Sequence, residues 1–170
     1  MEVRNRLMLM TFFDTGIRVS ELIDLKLSQV KDEYILIHGK GDKERVVPKS
    51  PLLNKWMFKY LSTRENFFAY RRVPENVFLS RNGRPMTTEA IHRVIKIAGK
   101  AVGVSRDIRV SPHTCRHTFA QMQLKNGLDL YSLSRLMGHS NISITQRYLE
   151  GLRDFEVLNA CKATGILMNL

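Results

Sequence analysis

Glu33-Tyr-Ile-Leu-Ile-His38, Gly39-Lys-Gly-Asp-Lys43 and Glu44-Arg-Val-Val-Pro48 form one continuous stretch, and its reading decides the fold. The first six residues are dominated by side chains that fit a pleated surface. The glycine-bracketed five supply a turn, and the last five return as a second strand, so 33–48 reads as a β-hairpin with a basic tip. Outward from it the patterns are helical. Residues 3–13 read as a mostly buried helix closed by Asp14-Thr15-Gly16, and a short second helix follows with Val19, Leu22, Ile23 and Leu25 along one face. Ser50-Pro51 opens a helix that runs to about Phe68, and Thr87 or Thr88 caps another that holds Ile91, Val94, Ile95, Ala98 and Val102. Val77-Phe78-Leu79 is a short strand or extended piece before the Asn82-Gly83 turn. From His113 three helices are expected, near 113–125, 129–137 and 141–149, broken at Gly127 and Gly138, and a last one covers about 153–162. The fold class is therefore mainly α with a small antiparallel β-sheet (α+β), and 1–170 reads as a single domain.

The composition narrows the function. Of 170 residues, 44% are hydrophobic and 25% charged, which sustains a folded core and opposes disorder. Charge interrupts every apolar run, so no membrane span is expected, and the N-terminus has no secretory pattern. Cys115 and Cys161 fit no spaced metal pattern and read as reduced thiols, which places the chain in the cytoplasm. Lys and Arg number 27 against 16 acidic residues, a net charge of +11. Such a field attracts polyanions, and nucleic acid is the usual one.

Several side chains stand out, each with a plain alternative. Arg18 opens the second helix and either meets an anionic ligand or pairs with Glu21, three residues on. Lys40, between two glycines at the hairpin tip, is a solvated turn lysine or a mobile ligand contact. His113 and His117 have metal-ligand spacing, but Thr114 stands where zinc proteases carry Glu, and Arg116 would set a positive charge beside the ion. No metal and no cofactor is expected. Tyr148, nine residues after His139, is by type a packing residue unless its surroundings say otherwise.

Together, Arg18, Lys40, His113, Arg116, His139 and Tyr148 are what metal-free phosphodiester transfer requires. Guanidinium forks bind non-bridging oxygens bidentately and replace the metal ions that other enzymes use. A free phenol has a pKa of about 10, so cations and a base must favour its attack. A departing 5′ oxygen needs a proton, which a loop lysine is suited to give.

The set resembles the tyrosine recombinases and integrases. Their motifs stand here in order as Thr15-Gly-Ile-Arg-Val-Ser-Glu-Leu22, Gly39-Lys-Gly-Asp-Lys-Glu-Arg45, His113-Thr-Cys-Arg-His117, Leu136-Met-Gly-His139 and then Tyr148, spanning about residues 7–150. The resemblance implies that Arg18 and Arg116 grip the scissile phosphate and that Lys40 protonates the leaving 5′ oxygen. It further implies that His113 serves proton transfer and phosphate contact, that His139 bonds a non-bridging oxygen, and that Tyr148 attacks to give a 3′-phosphotyrosyl link. Glu21 and His117 match positions read as support for the site, and Cys115 falls where leucine is frequent and carries no chemistry. It also implies double-stranded DNA as partner and a homotetramer on two synapsed duplexes, with the chain a monomer in isolation. Family members usually carry an N-terminal helical DNA-gripping domain ahead of this region, so the chain is expected to be an excised fragment or to lack that domain for another reason. The tail 152–170, with Phe155, Val157, Leu158, Ile166, Leu167 and Met168, either docks on a neighbouring subunit or folds back on its own domain. A type IB topoisomerase shares the chemistry, although the wording of the motifs fits recombinases better. A non-catalytic DNA-binding module, using 113–137 as a helix–turn–helix, leaves Tyr148 unexplained.

Overall fold

The computed structural model describes residues 2–39 and 44–149. In chain order they form α1 (Glu2–Thr15), α2 (Val19–Asp24), β1 (Tyr34–His38), β2 (Glu44–Pro48), α3 (Pro51–Phe67), α4 (Thr88–Ala101), α5 (Pro112–Lys125), α6 (Leu130–Met137) and α7 (Ser143–Gln146). A single 3₁₀ turn, Leu27–Gln29, lies between α2 and β1. The chain resolves into two compact units that divide between Arg116 and His117, inside α5.

In the first unit the hairpin expectation holds. β1 and β2 pair antiparallel from Tyr34 opposite Pro48 to His38 opposite Glu44. Alternation sends Ile35, Ile37 and Val47 into the core and leaves Val46 in solvent. Leu7, Met8 and Phe12 of α1 and Leu53, Met57 and Tyr60 of α3 supply much of the remaining core. The start of α3 is capped twice. Ser50 Oγ accepts from the Leu53 amide at 3.2 Å, and the Ser50 amide donates to Asp14 Oδ2 at 2.8 Å, fixing the entry of α3 against the end of α1. Arg4 is buried and donates to the Leu79 carbonyl at 2.7 Å. Val77–Leu79 is buried outside the ladder, bent at Val77 and Phe78 and bridged only at Leu79, opposite Pro85: the Val77 amide donates to the Leu25 carbonyl, and the Met86 amide to the Phe78 carbonyl. Thr87 caps α4 through the Ala90 amide, as its position before an amphipathic run leads one to expect.

In the second unit Phe119 and Ala120 of α5 pack with Leu133 and Met137 of α6. Asp129 caps α6 by accepting from the Ser132 amide at 2.9 Å. Gly138, at φ +64°, ends it in the left-handed conformation that favours glycine. One sequence expectation is shortened. The helix expected over 141–149 exists only as Ser143–Gln146. Around it the Ile144, Thr145 and Tyr148 amides bond three residues back, so the chain tightens toward 3₁₀ geometry. Branched Ile142, Ile144 and Thr145 lower helix propensity there, and no long apolar face sustains a full helix. The helix expected near 153–162 lies outside the described residues.

Candidate active site

Three candidate site residues of the first unit, Arg18, Glu21 and Arg116, gather around the Thr15–Glu21 turn. Gly16 takes φ +60° and turns the chain from α1 into α2. Glu21, at the third position of α2, reaches back to accept from the Arg18 amide at 2.7 Å. Its Oε1 also accepts from Arg18 Nη1 at 2.8 Å, so the Arg18–Glu21 ion pair anticipated from their spacing is real. Glu21 is doubly held: Arg45 of β2 donates to both of its oxygens, each at 2.8 Å, the bidentate geometry that guanidinium favours. The Glu21 side chain is 6% exposed and that of Arg45 10%, against 40% for Arg18. This network is therefore anchored inside and opens to solvent at Arg18. Burial alone would raise the Glu21 pKa, but the hydrogen bonds from Arg45 and Arg18 outweigh it and hold the carboxyl down to about 2.

Arg116 enters the same turn from the far end of the unit. It is buried, and its Nη1 donates to the Gly16 carbonyl at 2.5 Å. The structure thus brings both candidate arginines to one turn, Arg116 through the Gly16 carbonyl and Arg18 two residues along. His113, one helical turn before Arg116 on α5, is exposed. Cys115 is buried, and burial pushes its thiol up to about 11, in keeping with a packing role. Lys40 lies outside the described residues.

In the second unit the structure brings His117, His139 and Tyr148 together. The Tyr148 ring meets the His117 ring edge-on, with centroids 5.2 Å apart, and lies nearly parallel to the His139 ring at 6.2 Å. The tyrosine also packs on the Phe119–Met137 cluster, which leaves it half-buried. His139 is placed by the helix end: Gly138 turns left-handed and the His139 amide donates to the Ser134 carbonyl at 3.0 Å. Its Nδ1 lies 2.8 Å from Oγ1 of Thr145, a residue with no exposed surface. That bond orients the imidazole and ties one ring nitrogen to the short helix that precedes Tyr148.

Arg45 and Thr145 received no role from the sequence. Arg45 closes the hairpin motif and falls in phase with buried Val47, so strand alternation already put a charge on the core face. Thr145 had no such signal, because its bond depends on how α7 returns to His139.

The chain belongs to the phage integrase family, whose model matches residues 1–153. It is 39% identical over 147 residues to the tyrosine recombinase XerD of Staphylococcus aureus, covering 85% of this chain and 49% of that protein. It is equally identical, at 39% over 148 residues, to XerD of Lacticaseibacillus casei, covering 86% of this chain and 50% of the relative. The chain therefore spans about half the length of the curated relatives it matches. Among solved structures it is similar to the XerA recombinase, at 30% identity and a TM-score of 0.83 over 96% of this chain and 59% of the other. The XerH recombinase bound to a palindromic difH substrate shares the fold at 23% identity, with a TM-score of 0.78 over 97% of this chain and 46% of the other. The fold is thus that of tyrosine recombinase catalytic domains. Among the described residues no helix is long and apolar enough to cross a membrane.

Proposed function

We propose that this chain is the catalytic domain of a site-specific tyrosine recombinase that cuts and rejoins double-stranded DNA through Tyr148. The observation that carries the reading is the seating of Tyr148 against His117 and His139, two histidines outside its own short helix, where a packing tyrosine needs only the apolar cluster.

In this reading Arg18 and Arg116 bind the non-bridging oxygens of the scissile phosphate, while Glu21 and Arg45 hold Arg18 in place. His139 donates a further hydrogen bond to the phosphate, with Thr145 fixing its ring. Tyr148 Oη forms a bond to phosphorus as the bond from phosphorus to the 5′ oxygen breaks. The phenol proton passes to a base, the role assigned to His113, and Lys40 supplies the proton that the departing 5′ oxygen takes up. The broken phosphodiester is stored as a 3′-phosphotyrosyl diester, so a 5′ hydroxyl reverses the step without ATP. Attack by a different strand's hydroxyl makes the outcome recombination, which requires two duplexes in one complex. A homotetramer inside the cell supplies that arrangement, and the tail 152–170 is the segment proposed to link its subunits. Support comes from the motif order, the family membership and the DNA complexes of the XerH relative.

The test uses nicked suicide duplexes with randomised arms, from which a covalent complex is recovered on a denaturing gel and the linkage mapped by mass spectrometry. A phosphotyrosyl bond at Tyr148 is expected. Supercoil relaxation without strand exchange would move the reading to a type IB topoisomerase, and binding without any adduct would make the chain a binding module.

A further inference from the structure

A second basic feature lies apart from the Thr15–Glu21 turn. The second half of α4 and the loop that follows it border a groove of about 550 Å³. Lys96 and Lys100 line it from the helix, and Arg106 and Arg109 line it from the loop. All four are exposed, and none takes part in the ion pairs found among the described residues. Between residues 92 and 111 the sole carboxylate is Asp107, which is engaged with Ser105 Oγ at 3.2 Å. Lys96 and Lys100 stand four apart on one helix face, where like charges repel. Val104, Ile108 and Val110 line the groove between the cations, and apolar walls with charges of one sign focus the field outward. Among the described residues no ion pair offsets this repulsion, and an anionic ligand with several regularly spaced charges would.

The groove is built rather than incidental. Val110 Cγ1 lies 2.7 Å from where a Cβ on Gly99 would stand, so only glycine there lets the loop lie against α4. The loop is fastened at its far end as well. Thr114 Oγ1 donates to the Arg109 carbonyl, and the Thr114 amide donates to Ser111 Oγ at 3.2 Å. Thr114 is in the first turn of α5, beside His113 and two residues before Arg116. Four helical steps, from Pro112 to Arg116, span about 6 Å of axis. Successive phosphates of one strand advance about 3.4 Å along a duplex, so a strand held at Arg116 has its next phosphates within reach of this rim.

We propose that the Lys96–Lys100–Arg106–Arg109 groove is a second backbone contact, gripping the sugar-phosphate chain of duplex DNA beside the phosphate that reacts. The inference rests on the proposed recombinase reading but concerns binding and not the chemical step.

The test measures the affinity of the full chain for a fluorescent 30-bp duplex of mixed sequence by anisotropy over a range of salt. Removing one cation from a phosphate should make the slope of log K against log salt shallower by about 0.9. The pairs Lys96→Ala/Lys100→Ala and Arg106→Ala/Arg109→Ala should each therefore lower it by roughly 2, whereas Lys55→Ala/Arg71→Ala, which removes the same charge from α3 and the residues after it, should leave it nearly unchanged. Arg106→Lys/Arg109→Lys should keep the parent slope. At saturating protein the groove variants should form the Tyr148 adduct in parental yield. An unaltered slope in the groove variants, an equal drop in the α3 control, or a shallower slope in the lysine pair would overturn the proposal, as would groove variants that form no adduct at saturation where the parent does. If the parent forms no adduct while the slopes change as expected, the recombinase reading fails and the backbone grip stands. If the adduct forms and the slopes do not change, the groove fails and the reading stands.

Discussion

The guanidinium of Arg116 donates to the carbonyl of Gly16 at 2.5 Å, joining positions one hundred residues apart. Gly16 sits at the bend that presents Arg18, so one hydrogen bond fixes the buried arginine to the turn that carries the exposed one. Its carbonyl is available to Arg116 because the left-handed φ at Gly16 reverses the chain directly after α1.

Loss of either arginine should therefore act on chemistry, with a different cost in stability. Arg18→Ala and Arg116→Ala should each slow cleavage of a suicide duplex by at least about 100-fold, the usual consequence of removing a group that stabilises a transition state. Only Arg116→Ala should also lower the melting temperature clearly, since it deletes a buried charged donor. Near-parental cleavage by either variant would remove that arginine from the site.

Tyr148→Phe keeps the ring against His117 and His139 and deletes only the hydroxyl proposed to attack. It should bind duplex DNA as the parent does and leave no covalent band on a denaturing gel. An adduct that persists would point to another nucleophile.

Thr145→Val removes the partner of His139 Nδ1 while preserving shape in a fully buried place. Releasing the imidazole from that bond should slow cleavage by roughly 10-fold or more, as expected for about 1.4 kcal/mol of lost orientation, with DNA affinity unchanged. Single-turnover rates at saturating protein make the comparison. An unaltered rate would show that Thr145 does not position His139.

The Glu21 carboxyl titrates near 2 in the folded chain, against an ordinary value of about 4.5. Its folded pKa is depressed, so the stabilisation is fully present above about 4.5 and is lost as the pH falls from there toward 2. Glu21→Gln should flatten the acid limb of the stability curve across that window, read as melting temperature against pH. A limb of parental steepness would mean that other carboxylates set it.

Burial raises the Cys115 thiol to about 11, so little thiolate exists near pH 8. Iodoacetamide should label Cys115 only slowly in the folded chain and readily after denaturation, as peptide mapping would reveal. Rapid native labelling would contradict its burial.

Much of the fold was legible from local pattern. The hairpin followed from β-formers flanking a glycine turn, and α3, α4 and α6 from Ser50, Thr87 and Asp129 standing before apolar periodicity. Val77–Leu79 stayed ambiguous, since a three-residue apolar run looks the same in a ladder or packed alone. The 141–149 helix was overextended, because periodicity does not register the cost of three branched residues in a short segment. In the site, the Arg18–Glu21 pair was legible because its partners stand one helical turn apart.

The sequence by itself determined which side chains were available, the order of the motifs, and each element whose hydrogen bonds close within a few residues. Only the tertiary structure decided that Arg45 clasps Glu21, that Arg116 reaches Gly16, and that Tyr148 rests between His117 and His139. Helix caps and strand alternation repeat over short spacings and leave a readable trace. Pairings across nine to a hundred residues, between separate elements, depend on how those elements pack, and no local spacing encodes that.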